Sequence, residues 1–268
     1  MDDNFYFALG LATFAGLSTG IGSLIAFFAR KTNKTFLSLS LGFSAGVMIY
    51  VSFVALFPRS LEALSVFYGS EHVALYTGIS FFAGVILILI IDALIPKSEN
   101  PHEAHFIEEM DDFDRENRKL LRIGFFTAIA IAIHNFPEGI ATFAAGMEHP
   151  TLGISIATAI SIHNIPEGIA ISIPIYFATG SRKKAFWISL ASGLSEPLGA
   201  LVSYFAFPNL FSGSYFGFIL GAVAGIMVFI SLGELIPAAR EYDTGKKSIY
   251  GLVSGMFVMA ITLIMLGH

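Results

Sequence analysis

Apolar residues run along this chain in long blocks separated by short polar breaks. Eight blocks stand out, with approximate cores at 5–29, 36–58, 75–95, 122–147, 152–178, 185–207, 215–238 and 248–267. Each is about 20 residues or longer, the length an α-helix needs to cross a hydrocarbon core of about 30 Å. Closed β-barrels also span membranes, but through short alternating segments rather than continuous runs. The pattern therefore predicts an all-α integral membrane protein of eight transmembrane helices, a single domain over residues 1–268. The opening Met1-Asp2-Asp3-Asn4 carries no basic group, so the first block is expected as a retained helix and not a cleaved leader.

Composition strengthens the membrane reading. Hydrophobic residues make up 55% of the 268, charged residues 13%, and the mean hydropathy is +0.74. Soluble domains carry roughly a quarter charged residues, so this chain lacks the polar surface to face water all round. Charge distribution then orients it. With eight crossings, 14 of the 15 Lys and Arg fall in alternate loops. They are Arg30, Lys31 and Lys34; Lys97, Arg115, Arg118, Lys119 and Arg122; Arg182, Lys183 and Lys184; and Arg240, Lys246 and Lys247, leaving Arg59 alone on the other side. The positive-inside rule puts those loops in the cytoplasm and both termini outside, for a multi-pass protein of the cell (inner) membrane. The same short clusters orient helices and give no nucleic-acid footprint. The longest loop, about 96–121, holds His102, Glu103, His105, Glu108, Glu109, Asp111 and Asp112. It reads as a solvated connection, and alternatively as a weak cytoplasmic metal-collecting segment.

Two of the apolar blocks contain nearly the same phrase. The fourth reads His134-Asn135-Phe136-Pro137-Glu138-Gly139-Ile140-Ala141, and the fifth His163-Asn164-Ile165-Pro166-Glu167-Gly168-Ile169-Ala170. Consecutive helices run antiparallel, so the copies face each other near mid-membrane. The flanks repeat too. Ala15-Gly16-Leu17-Ser18 matches Ser192-Gly193-Leu194-Ser195. Gly42, Gly46, Met48, Ser52 and Pro58 match Gly221, Gly225, Met227, Ser231 and Pro237, each 179 positions later; Gly84 pairs more weakly with Gly255. The order is three helices, a central pair, and three helices again, with the triplets inverted. Inverted repeats around a polar midplane site are how many secondary transporters achieve alternating access.

The repeated phrase is expensive to bury, because an ionisable residue at the centre of a membrane helix costs about 2.5–3.5 kcal/mol on insertion scales. In each copy His and Glu stand at i and i+4, on one helical face. Proline at i+3 removes a backbone N–H and frees the carbonyls of Ile133 and Ile162. With no cysteine in the chain, imidazole, amide, carboxylate and carbonyl groups are the available ligands. This mixed N/O set suits Zn²⁺, and also Fe²⁺, Mn²⁺ or Co²⁺. Glu196 in the sixth block and Glu234 in the seventh add acids beside prolines, and Glu196 stands where Thr19 does in the first block. Met48 offers a thioether, but Met227 at the matching place favours a packing role for both. An isolated His–Glu pair could serve only to fix helix register; two antiparallel copies in one layer exceed that need. An intramembrane zinc metalloenzyme is the rival reading. Its His-Glu-x-x-His signature is absent, so no enzymatic activity is expected. A metal-sensing membrane protein without net flux would use the same ligands.

The paired His-Asn-x-Pro-Glu-Gly phrases, together with Gly-Leu-Ser-Glu-Pro-Leu-Gly at 193–199, resemble the ZIP family of zinc and iron transporters, above all its bacterial ZupT-like and GufA-like branch. The resemblance covers essentially the whole chain. It implies uptake of divalent metal, with Cd²⁺ among the ions to be tried, through a central binuclear site bridged by Glu138 and Glu167. It implies His134 and His163 on one ion and Asn135, Asn164 and Glu196 on the second, with Met48 near the first. It also implies an elevator-like movement of helices 1, 4, 5 and 6 against 2, 3, 7 and 8. The chain departs from relatives at Gly233, ahead of Glu234, and at Ala55-Leu56, ahead of Pro58, where acids or His often stand. Asn164 replaces the Asp of some relatives. The metal itself is substrate, with no cofactor implied; the partners are the metal ion and the lipid bilayer, and homodimer formation is left open.

Overall fold

The computed structural model describes residues 4–26, 34–94, 113–207, 213–241, 243 and 245–266. The acidic part of the long loop, His102 to Asp112, lies outside the described residues, as do Arg30, Lys31 and Lys97. Every described element is helical: α1 (Phe5–Ala26), α2 (Lys34–Val51), α3 (Phe57–Leu94), α4 (Phe113–Glu148), α5 (Pro150–Thr179), α6 (Arg182–Gly193), α7 (Ser195–Ala206), α8 (Ser214–Ile230), α9 (Ile236–Glu241) and α10 (Lys247–Met265). Among the described residues, six helical stretches are long and apolar enough to cross a membrane. One of them, Thr35–Ile91, is 57 residues long. At about 1.5 Å per residue it exceeds any bilayer core, and it is broken at Gly69. There φ is +70° and ψ is 166°, values that only glycine adopts without strain. The sequence pattern placed a loop between the second and third blocks; the backbone instead stays helical on both sides of this one residue.

Local chemistry sets the other boundaries. Pro150 starts α5 behind His149, whose Nδ1 accepts from the Thr151 N–H at 3.3 Å. Gly180, at φ +64°, ends α5 and donates to the Tyr176 carbonyl at 2.7 Å. The apolar block at 185–207 is divided at Leu194, ahead of Glu196 and Pro197. Near the start of α10, Asp243 accepts from the Ser248 and Gly245 backbone N–H groups at 2.9 and 2.8 Å. The Ser248 bond, first among these contacts, holds that exposed carboxyl below the ordinary aspartate range.

Helix contacts recur in matched pairs. Five-residue π-helical turns occupy Ser52–Leu56 and Ser231–Leu235, 179 positions apart. Ser52 and Ser231 each donate to the methionine carbonyl four residues back, both at 2.7 Å. A Cβ on Gly46 would strike the Leu252 carbonyl and one on Gly225 the Phe81 carbonyl; Gly84 is set against Ala222 and Gly255 against Phe43 in the same way. Around α1 and the α6–α7 break, Gly22 meets the Ile165 carbonyl as Gly199 meets that of Phe136.

These close approaches sort the helices into two sets. One contains α1, α4, α5, α6 and α7; the other contains α2, α3, α8, α9 and α10. Every glycine whose added Cβ would meet a neighbouring helix's backbone finds that backbone in its own set. Between the sets the contact is mainly alkyl. Ala141, Ala145, Ile156 and Ile160 of the first set share the main apolar cluster with Val47, Met48, Leu220 and Met227 of the second. Leu37 joins Ile169 and Ile173 in a smaller cluster. Ser44 Oγ of α2 donates to the His163 carbonyl at 3.4 Å across the same boundary.

Candidate metal centre

The two repeated phrases meet as crossed pairs. His163 Nε2 lies 3.1 Å from Glu138 Oε2, and His134 Nε2 lies 3.3 Å from Glu167 Oε1. Each histidine thus faces the glutamate of the other helix, and all four side chains are buried. Pro137 and Pro166 sit inside α4 and α5, one residue before each glutamate. Gly139 brings α4 against the Glu196 carbonyl, and Gly168 brings α5 against that of Thr19. Side chains at these glycines would force the layer apart.

His163 Nδ1 faces the Ala159 carbonyl at 3.2 Å. That carbonyl only accepts, so Nδ1 carries the hydrogen and Nε2 is the nitrogen presented to Glu138 and to any cation. The His134–Glu167 contact is within ion-pair range but is not aligned as a hydrogen bond, leaving His134 Nε2 without a hydrogen-bond partner.

The asparagines are held symmetrically. Asn164 Nδ2 donates to the Ala15 carbonyl at 2.9 Å and to Glu196 Oε1. Asn135 Nδ2 reaches the Ser192 carbonyl at 3.5 Å. With both amide nitrogens committed, both amide oxygens are left as acceptors. Six buried oxygens have no protein donor: Asn135 Oδ1, Glu138 Oε1, Asn164 Oδ1, both carboxylate oxygens of Glu167, and Glu196 Oε2. Buried polar atoms are normally satisfied. This many unsatisfied acceptors, with imidazole nitrogen beside them, suits a borderline or hard divalent cation. In the arrangement observed the histidines and glutamates occupy each other. Among the described residues no three His, Asp or Glu side chains form a ready-made cage.

The remaining sequence candidates are placed differently. Glu234 lies in the second π-helical turn and is half-buried. Met48 is fully buried in the main apolar cluster, and so is Met227. Sequence reading did not single out Ser44 or the partner carbonyls of Ala15 and Ser192. The last two stand at equivalent places in the matched tetrapeptides, which was the available signal; Ser44 had none.

A model of the ZIP zinc transporters matches residues 6–263. The chain belongs to the ZIP family. Three curated ZIP relatives, each named zinc transporter ZupT, show how closely it is kept. The protein of Chlorobium chlorochromatii strain CaD3 is 55% identical over 266 residues, 99% of each chain. That of Streptococcus mutans is 55% identical over 265 residues, again 99% of each. That of Lysinibacillus sphaericus is 54% identical over 268 residues, covering 99% of this chain and all of the relative.

Proposed function

We propose that this ZIP protein carries divalent metal ions, Zn²⁺ foremost, across the cell membrane into the cytoplasm. The observation that carries the reading is the layer of crossed His–Glu pairs. Two imidazoles, three carboxylates and two amides meet there at the level of Pro137 in α4 and Pro166 in α5, with six acceptor oxygens unsatisfied. Membership of the family and the names of the relatives support zinc as the cargo. His134 and His163 serve one ion and Asn135, Asn164 and Glu196 a second, with Glu138 and Glu167 between them. Met48 and Glu234 take outlying roles. Fe²⁺, Mn²⁺, Co²⁺ and Cd²⁺ fit the same donors less selectively.

The architecture we propose is eight crossings in a 3+2+3 order with inverted triplets. The matched glycine contacts, the two π-helical turns and the break at Gly69 support it. The two helix sets then act as two bodies. The site belongs to one of them, and the alkyl boundary lets it slide against the other. An ion sheds most of its water, enters between the crossed histidines and glutamates, and is released on the side bearing the basic loops. Because protons and metal compete for these ligands, uptake falls as pH is lowered.

Metal accumulation in proteoliposomes tests the reading. Zn²⁺, Fe²⁺, Mn²⁺ and Cd²⁺ are offered to wild type and to the double variant Glu138→Ala, Glu167→Ala. Uptake in wild type that is lost in the variant is the expected result. Tight binding by wild type with no accumulation would leave a sensor or an enzyme instead.

A further inference from the structure

Hydroxyl groups inside membrane helices usually donate to a carbonyl three or four residues back, and this chain follows the rule widely. Thr13, Ser52, Thr158, Ser161, Thr179 and Ser231 all bond to the carbonyl at i−4 at 2.7 Å. Thr19 does not. It is fully buried in α1, yet its Oγ1 has no hydrogen-bond partner. The carbonyl it would ordinarily use, that of Ala15, already receives Ser18 Oγ at 2.5 Å and Asn164 Nδ2 at 2.9 Å. An unpaired buried hydroxyl is a cost to the fold, and a methyl group of the same shape would remove it.

Its place in the fold gives the reason. Asn164 donates to the Ala15 carbonyl and Asn135 to that of Ser192, 177 positions later. Gly168 abuts the Thr19 carbonyl as Gly139 abuts that of Glu196, again 177 positions on. A Cβ on Gly193 would lie 2.8 Å from Thr19 Oγ1, so the side chain lies against the α6–α7 break, at the residue that follows Ser192, whose carbonyl anchors Asn135. Thr19 is therefore the pseudo-two-fold mate of Glu196. Glu196 borders Asn164 at one end of the layer, and the repeat puts Thr19 at the equivalent place toward Asn135 at the other. Its side chain is two atoms shorter than glutamate, a gap of about one water molecule.

We propose that Thr19 is a positioning residue for the transported cation. Its hydroxyl holds one water of the ion's hydration shell at the Asn135 end of the layer, where Glu196 supplies a carboxylate oxygen at the Asn164 end. The ion is stripped fully on one side and keeps a water on the other. The site thus holds three carboxylates rather than four, which limits how tightly it grips a dication that must also leave. This rests on the transport reading above.

The test pairs stability with transport. Thr19→Val, purified and metal-free, is expected to melt about 2 °C higher than wild type. Its Zn²⁺ affinity by calorimetry and its uptake rate in proteoliposomes are expected to fall roughly tenfold, the usual scale for an outer-shell contact to a metal. Thr19→Ser is expected to recover most of that loss. A role in packing alone would move melting and uptake in the same direction. The proposal is overturned by a Thr19→Val protein that binds and carries Zn²⁺ as wild type does, or by one that melts lower without metal. Glu138→Ala runs alongside. If that variant still carries metal, the assignment of the site is wrong; if it does not and Thr19→Val is unaffected, only the role of Thr19 fails.

Discussion

At the scale of single residues the site depends on which atoms are already committed. Asn164 gives its amide hydrogens to Glu196 and to the Ala15 carbonyl, so its oxygen is an acceptor although the side chain is neutral. Asn164→Asp would remove both donations and set a second carboxylate against Glu196. Without metal we expect this variant to be less stable by about 1–3 kcal/mol, the cost of stranding buried polar groups. Zn²⁺ should recover part of the loss, because the added charge is then neutralised. Thermal melting with and without Zn²⁺ checks this: a metal-induced rise larger than in wild type is the expected sign, and an equal rise would place Asn164 outside the ion's reach.

At the scale of helices, close packing depends on glycines that admit a neighbour's carbonyl. Gly46 against Leu252 and Gly225 against Phe81 are equivalent contacts in the two halves. Ala at either position should destabilise by about 1–3 kcal/mol and by similar amounts, since each Cβ strikes unyielding backbone. Gly10→Ala in α1, which meets nothing within 4 Å, serves as the control and should be neutral or stabilising. Chemical denaturation in detergent measures all three. Helix identity was legible in the sequence because some 20 apolar residues in a row admit little else in a bilayer. The interruptions were less so. Gly69 gave no sign that it alone would divide a 57-residue helical stretch, and the π-helical turns at Ser52–Leu56 and Ser231–Leu235 are local changes of winding that hydropathy does not register.

At the scale of the whole molecule the division into two sets predicts which tethers are harmless. The chain has no cysteine, so introduced thiols report cleanly. Leu37→Cys with Ile173→Cys, bridged by a short thiol-reactive linker, joins the sets across their alkyl boundary and should stop uptake. Thr35→Cys with Lys247→Cys replaces a contact of 2.8 Å within one set, and bridging it should leave uptake intact. Stalling by both bridges alike would rule out relative movement of the sets as the cause.

The sequence by itself determined the solvent, the helical class and the chemistry to be expected. Continuous apolar runs, the absence of cysteine and two copies of His-Asn-x-Pro-Glu-Gly are properties of the chain in one dimension. It also announced the internal repeat, since matched glycines at one offset need no coordinates to be counted. Only the tertiary structure decided how the copies meet. The i and i+4 spacing put His134 and Glu138 on one face of one helix, which makes them look like partners. Antiparallel packing of α4 on α5 instead pairs each histidine with the glutamate opposite, because groups on facing helices approach head-on while those along one helix point side by side. The same packing brought Asn164 onto the Ala15 carbonyl that Ser18 already uses, closing it to Thr19. A hydroxyl that reads as ordinary in the sequence was thereby left unpaired beside the site, a consequence of competition for one acceptor that exists only once the helices have come together.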